Sequence, residues 1–219
     1  MSHVRLAFPS ADQWLTLSQT EAVTDLVSWA SSAAQRFAPD PNADLQNLVT
    51  YFRRLGEQYL RVGGTGCLFL LPDGQLPVQA LARLETFNGP TSAQAAREQV
   101  ELLFPPGEWL VDPVTAVTLA TGAGPATHLH VRFADPDAAD AVVRETVYYM
   151  WWFEEVPETL MLSVAFENAD LAVQLLGHVD SLAVAATRTN GPQAQSIGHF
   201  DDNYIGASQH ADPGPEVKL

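Results

Sequence analysis

The segment VYYMWWFEEVPETLMLSVAFEN, from Val147 to Asn168, constrains the fold more than any other part of the chain. As a strand it sends alternate side chains to opposite faces. One face carries Val147, Tyr149, Trp151 and Phe153, and the other carries Tyr148, Met150, Trp152 and Glu154. Both are apolar over most of their length. An antiparallel strand with one wet face would alternate with polar residues, and this one does not. Either helices cover both faces or one face is a binding surface. The next run, TLMLSVAFE, sets Leu160, Leu162, Val164 and Phe166 on one side and Met161, Ser163, Ala165 and Glu167 on the other. The large residues suit a main core, and the small ones suit a closely packed helix. Core packing is expected to take most of the rings. Trp152 and Tyr148 are the expected exceptions, lining a groove or a contact where Trp and Tyr are favoured.

The rest of the chain supplies the cover. Ser18 and Glu21 have the spacing of a capping box. Ala22, Leu26, Ala30, Ala33 and Phe37 follow at helical intervals, which predicts a helix over 19–37. A second helix is expected from near Asn42, with Leu45, Leu48, Val49, Phe52, Leu55 and Tyr59 on one stripe and Gly63-Gly64 at its end. TSAQAAREQVELLF reads as a short helix capped by Thr91 or Ser92. NADLAVQLLGHVDSLAVAAT reads as the last helix, capped by Asn168, with Leu171, Leu175, Val179, Leu182 and Ala186 as its apolar stripe. VRLAFPS, from Val4, is a short strand or an extended lead-in. GCLFLLPDGQLPVQALARLETF reads as a hairpin about its PDG turn. From Trp109 onward, VTAVTLAT, THLHVRF, VVRETVYYMWWFEE and TLMLSVAFE form an antiparallel meander, with a turn at VPE. The expected fold class is α+β: a mainly antiparallel sheet of about five to seven strands covered by helices, like an α/β/α sandwich. One domain is expected over 1–188. Over 189–219 the composition turns to Gly, Pro, Gln, Asp and Ser, which predicts a flexible or loosely docked acidic tail with HFDDNYIG as a docking motif.

Charge narrows the partners. Only 17% of residues are charged, yet Asp and Glu number 26 against 11 Lys and Arg, a formal net charge of −15. Eleven acids and seven bases lie within the first 110 residues (−4), and fifteen acids and four bases lie beyond (−11), so the acidity sits in the second half. Such a field repels phosphate backbones and anionic lipid, which argues against nucleic acid and membrane as partners and favours a basic one. Cys67 is the single cysteine, so no internal disulfide or cysteine-rich metal site is expected; inside CLFLL it reads as a small buried residue. No run approaches the ~18 apolar residues of a membrane span. MSHVRLAFPSADQW lacks the apolar stretch of a signal peptide. A cytoplasmic location is expected.

Candidate chemistry is sparse. His128 and His130 share one face of a strand in HLH, but a zinc or nickel site needs a third and usually a fourth ligand, and none stands at diagnostic spacing. His199, Asp201 and Asp202 fall in the expected tail. His178 falls beside the apolar stripe of the last helix and reads as a boundary residue. VGGTG (Gly63, Gly64, Gly66) follows a helix and precedes a strand, the reverse of a phosphate loop. Glu154 and Glu155 point to opposite strand faces, which is poor geometry for an acid/base pair on one substrate. No G-x-S-x-G or H-E-x-x-H is present. No catalytic residue, cofactor or metal ligand is therefore expected, and the chain does not read as an enzyme.

The order of LAFPSADQWLTLS, two helices, GCLFLLPDG, VYYMWWFEEVPE and LMLSVAFENADLAVQLLGHVDSLAVA resembles a group of uncharacterised actinobacterial α+β proteins over Leu6 to Ala186. The last four strands and the final helix are also similar to PsbP-like α/β/α sandwiches. That resemblance implies an accessory or scaffold role without catalytic residues. The expected function is a non-catalytic binding or accessory module that recognises a protein partner, a basic one by charge, through Trp152, Glu154, Glu155 and Glu158; secretion-accessory or toxin-neutralising roles would fit. The alternative is a small-molecule binding protein with an apolar pocket between sheet and helix, lined by Tyr149, Trp151 and Phe153.

Overall fold

In the computed structural model the aromatic segment is a strand, and it runs inside a sheet rather than along its edge. The structure describes residues 3–8, 13–18, 24–38, 42–62, 66–72, 76–89, 92–105, 107, 110–134, 143–153, 155–166 and 169–191. Among these the elements run β1 (His3–Ala7), β2 (Trp14–Ser18), α1 (Leu26–Arg36), α2 (Leu45–Val62), β3 (Gly66–Leu70), β4 (Ala80–Asn88), α3 (Ala93–Leu103), β5 (Thr115–Thr121), β6 (Gly124–Ala134), β7 (Val143–Phe153), β8 (Val156–Phe166), α4 (Ala169–Ala185) and β9 (Thr187–Gly191). Seven strands form one sheet in the order β2-β3-β4-β8-β7-β6-β5, every neighbouring pair antiparallel. β1 and β9 pair with each other as a separate two-stranded sheet. The fold is α+β.

The two apolar faces of β7 are both covered, each by different elements. Val147, Tyr149, Trp151 and Phe153 pack with Leu160, Leu162, Val164 and Phe166 of β8 and with Ala172, Leu175, Val179 and Leu182 of α4. Register fixes this face: Tyr149 lies opposite Leu162 and Trp151 opposite Leu160. Val4 of β1 joins the same core. On the other face Met150 packs with Leu129, Val131 and Val100 of α3, flanked by Tyr148, Phe104 and Met161. A third cluster sets α1 and α2 against the β2–β3 end of the sheet through Phe37, Phe52, Tyr59, Leu17, Phe69 and Cys67. Cys67 is buried, as its apolar surroundings in the sequence imply.

Trp151 is fully buried and carries a polar handle. Its indole N–H donates to the Thr121 hydroxyl at 2.9 Å, and that hydroxyl donates to the Gly124 carbonyl at 2.6 Å. The tip of the β5–β6 hairpin is thereby tied to the central ring. Gly122 in that tip donates its N–H to the Val184 carbonyl at 2.9 Å, and a Cβ there would meet the Ala186 carbonyl oxygen at 2.8 Å. Gly124 has φ of +114°, which L side chains rarely adopt. The hairpin turn therefore needs both glycines, one for close approach and one for conformation.

Several expected boundaries move. Of the helix predicted over 19–37, Leu26–Arg36 is seen as α1, and the Asp25 carboxylate accepts from the Ser28 N–H at 3.3 Å at its start; Ser18 ends β2, paired with Gly66, and residues 19–23 lie outside the described residues. Glu21 lies outside the described residues. The lead-in from Val4 lies in β1, and Trp14–Ser18, where the sequence predicts no element, is a strand of the main sheet with Trp14, Leu15 and Leu17 buried. The second helix starts at Leu45 rather than near Asn42, because Asp44 accepts from the N–H groups of Gln46 and Asn47, each at 3.1 Å. Ser92 is the cap of α3, one of the two residues expected there. Val156–Glu158, read as a turn, belong to β8. Ala165 is exposed, so the small-residue face of β8 is not packed against a helix at that point. Ser163 instead approaches the Arg83 carbonyl at 3.5 Å, and Arg83 pairs with Glu85 at 3.0 Å. β9 carries the chain to Gly191, three residues past the expected domain end at 188. Asn168, Gly63, Gly64 and residues 192–219 lie outside the described residues.

Truncating Trp151 to Ala removes the largest fully buried side chain and is expected to cost about 3–5 kcal/mol. Thr121→Val, which leaves the buried indole N–H unpartnered, is expected to cost about 1–3 kcal/mol. Urea unfolding monitored by circular dichroism measures both; a near-neutral Trp151→Ala would contradict the packing described.

Candidate functional site

The two edges of the sheet differ. At the β2 edge, Trp14, Leu15 and Leu17 are buried, and the Trp29 indole of α1 donates to the Thr16 backbone carbonyl at 2.8 Å. At the β5 edge, Thr115, Ala116, Val117, Thr118 and Ala120 are all exposed, and among the described residues no strand pairs with the outer side. Native sheets blunt such an edge with Lys, Pro, bulges or a covering element. β5 reads TAVTLAT, with no charge and no proline. Among the described residues nothing therefore pairs with the outward N–H and C=O groups, carried by every second residue, of this β-prone, uncharged run.

A cleft opens on each face beside this edge. The larger, about 270 Å³, lies where the chain enters β5. Leu110 bridges to Phe133, and the Val111 N–H donates to the Arg132 carbonyl at 3.0 Å, so the strand line of β5 begins early. Pro113, which has no N–H to give a ladder, interrupts it. Asp112, Pro113 and Thr115 form one wall, and His128, His130 and Arg132, at every second position of β6, form the other. Register places His130 opposite Thr115 and His128 opposite Val117. The smaller cleft, about 140 Å³, is lined by Arg97, Thr118, Thr127 and Trp152 among others.

The polar groups of the larger cleft are layered. Glu145 of β7 is buried and bonds the Nε2 of His130, whose side chain is 36% exposed. Arg132 reaches Asp112 at 2.8 Å, an ion pair with both partners largely in solvent. The His128 ring stacks on Tyr149, centroids 4.9 Å apart and planes at 14°. Its Nε2 is buried and has no hydrogen-bond partner among the described residues. Burial holds the His128 pKa below the ordinary histidine value, with Asp180 opposing and His130 adding to that shift. The Tyr149 hydroxyl donates to Asp180 of α4 at 2.5 Å, and burial followed by that bond pushes its pKa well up. Among the described residues no group of three or more His, Cys, Asp or Glu is placed to hold a metal ion.

Among the residues expected to meet a partner, the three described ones have different surroundings. Trp152 is half-buried and lines the smaller cleft. Glu155 is exposed and pairs with Arg188 at 3.4 Å. Glu158 accepts from the Val4 N–H at 3.3 Å, beneath β1. Glu154, His199, Asp201 and Asp202 lie outside the described residues, and His178 is half-buried on α4. The structure does bring His128 and His130 together with Glu145, Asp180, Arg132 and Asp112, which sequence spacing did not connect. The i, i+2, i+4 run of His128, His130 and Arg132 was the visible signal; their partners come from other strands and a helix.

No protein-family model matches the chain, and comparison with curated proteins gives no match. Among the described residues no helix is long and apolar enough to cross a membrane.

His128 makes stability depend on pH. It is harder to protonate folded than unfolded, so the unfolded state binds more protons as pH falls through about 6.5, and stability drops on the acid side of that value. His128→Gln is expected to flatten this fall, read as the difference in urea midpoint between about pH 7.5 and 5.5. An unchanged difference would contradict the burial assigned to the ring.

Proposed function

We propose that this chain is a non-catalytic binding module that takes up an extended, basic segment of a protein partner along β5. The exposed, uncharged, proline-free edge carries the reading. Added strands gain affinity from main-chain hydrogen bonds and specificity from pockets for alternate side chains, and β5 has a cleft on either face. On this reading Trp152, which lines the smaller cleft, contacts the docked segment.

Charge selects the occupant. A second copy of the chain would bring another −15, and the chain's own residues 192–219 hold Asp201, Asp202, Asp212 and Glu216 against Lys218. Both are repelled, whereas a basic segment is drawn in, over a screening length of about 8 Å at physiological salt. An accessory role is also what the resemblance to PsbP-like sandwiches implies. The small-molecule reading has less support, because Tyr149, Trp151 and Phe153 are spent in the core against β8 and α4.

Neighbouring strand N–H groups point to opposite edges, so Val117→Pro and Thr118→Pro form an informative pair. One removes a bond to β6 and destabilises the fold; the other removes an outward donor and leaves the fold intact. The folded variant is expected to bind basic strand-forming peptides at least tenfold more weakly than the parent, by fluorescence anisotropy, a loss of about 1.4 kcal/mol or more. Equal binding, or a doubled solution mass showing β5–β5 pairing between copies, would overturn the reading.

A further inference from the structure

We propose that the cleft of about 270 Å³ beside β5 is a specificity pocket for a lysine or arginine side chain of the docked segment. This rests on the edge-strand reading above and names what that edge selects. The first support is position. Thr115 and Val117 belong both to β5 and to the cleft wall, so a strand added to β5 would deliver alternate side chains beside it. The second is charge. Among the described residues the charged groups lining the cleft are Asp112 before β5 and Arg132 on β6, and Asp112 is the more exposed of the two, 59% against 40%. Glu145 on β7 and Asp180 on α4 add negative charge behind the wall, bonded to His130 and Tyr149. Arg132 is already turned to Asp112 at 2.8 Å, and burial keeps His128 neutral near pH 7.

The third support is hydrogen bonding. A cationic side chain brings donors and no acceptor. The cleft offers it the exposed Asp112 carboxylate and the Thr115 hydroxyl, with the His128 ring in the opposite wall. A carboxylate-bearing side chain would meet Asp112 as a like charge. An apolar one would leave Asp112 and Thr115 without new partners. Val117 and Pro113, apolar members of the wall, suit the methylene stem of a long basic side chain, which keeps its charge at the polar end.

The test uses the full chain and a fluorescein-labelled host peptide of alternating Thr and Val. Arginine is walked through successive positions, and norleucine and glutamate are then placed at the best one. Arginine is expected to tighten binding at every second position only, about fivefold over norleucine and more over glutamate, as one charge-assisted contact would give. Asp112→Asn is expected to remove most of the arginine preference while the norleucine peptide binds as before. Equal binding of the three peptides, or a preference unmoved by Asp112→Asn, overturns the pocket and leaves the edge reading standing. Failure of every peptide to bind overturns the edge reading, and the pocket with it.

Discussion

Trp151 sits where the fold's separate pieces meet. Its ring packs between β8 and α4, and its N–H reaches Thr121 at the tip of the β5–β6 hairpin. A large aromatic buries about 150–250 Å², and here the burial also locates a hydrogen-bond donor that must be satisfied. Thr121 meets that demand and passes it to Gly124. The edge hairpin is therefore positioned from the core outward. That anchoring allows β5 to remain exposed along its length and still hold a fixed register with β6.

The two-sided apolar character of β7 follows from cover of unequal kinds. One face lies under α4 and the other under α3, while α1 and α2 serve only the far end of the sheet. The β2 edge lies among these helical contacts and receives the Trp29 N–H. β5 touches α4 through Leu119 and the hairpin tip, but among the described residues no strand pairs with its outer side. This asymmetry makes one side of the molecule a closed core and leaves the other as a strand ready for pairing, with polar chemistry gathered beside it.

Much of this was legible in the sequence because period-two patterning is a direct record of burial. The rings of Tyr149, Trp151 and Phe153 could be assigned to the core from parity and from their neighbour TLMLSVAFE. The four helices and seven-stranded sheet agree with the α+β sandwich read from hydrophobic periodicity. Trp14–Ser18 escaped because WLTLS is short and follows residues that resemble a loop. The Glu145–His130 and Tyr149–Asp180 contacts were invisible for a different reason: they join residues 15 and 31 positions apart, and only strand order and helix placement bring them together. Edge status is likewise a property of topology. TAVTLAT was recognisable as a strand, but nothing within it says which strand it lacks.

Amide hydrogen exchange by NMR under native conditions tests the central claim most directly. The core amides of β7 and β8 are expected to exchange only through global unfolding, while every second amide of β5 exchanges orders of magnitude faster, as unpaired outward groups do. Uniform protection along β5 would mean that its edge is already occupied, and rapid exchange at Trp151 and Leu162 would mean that the covered girder described here is not one.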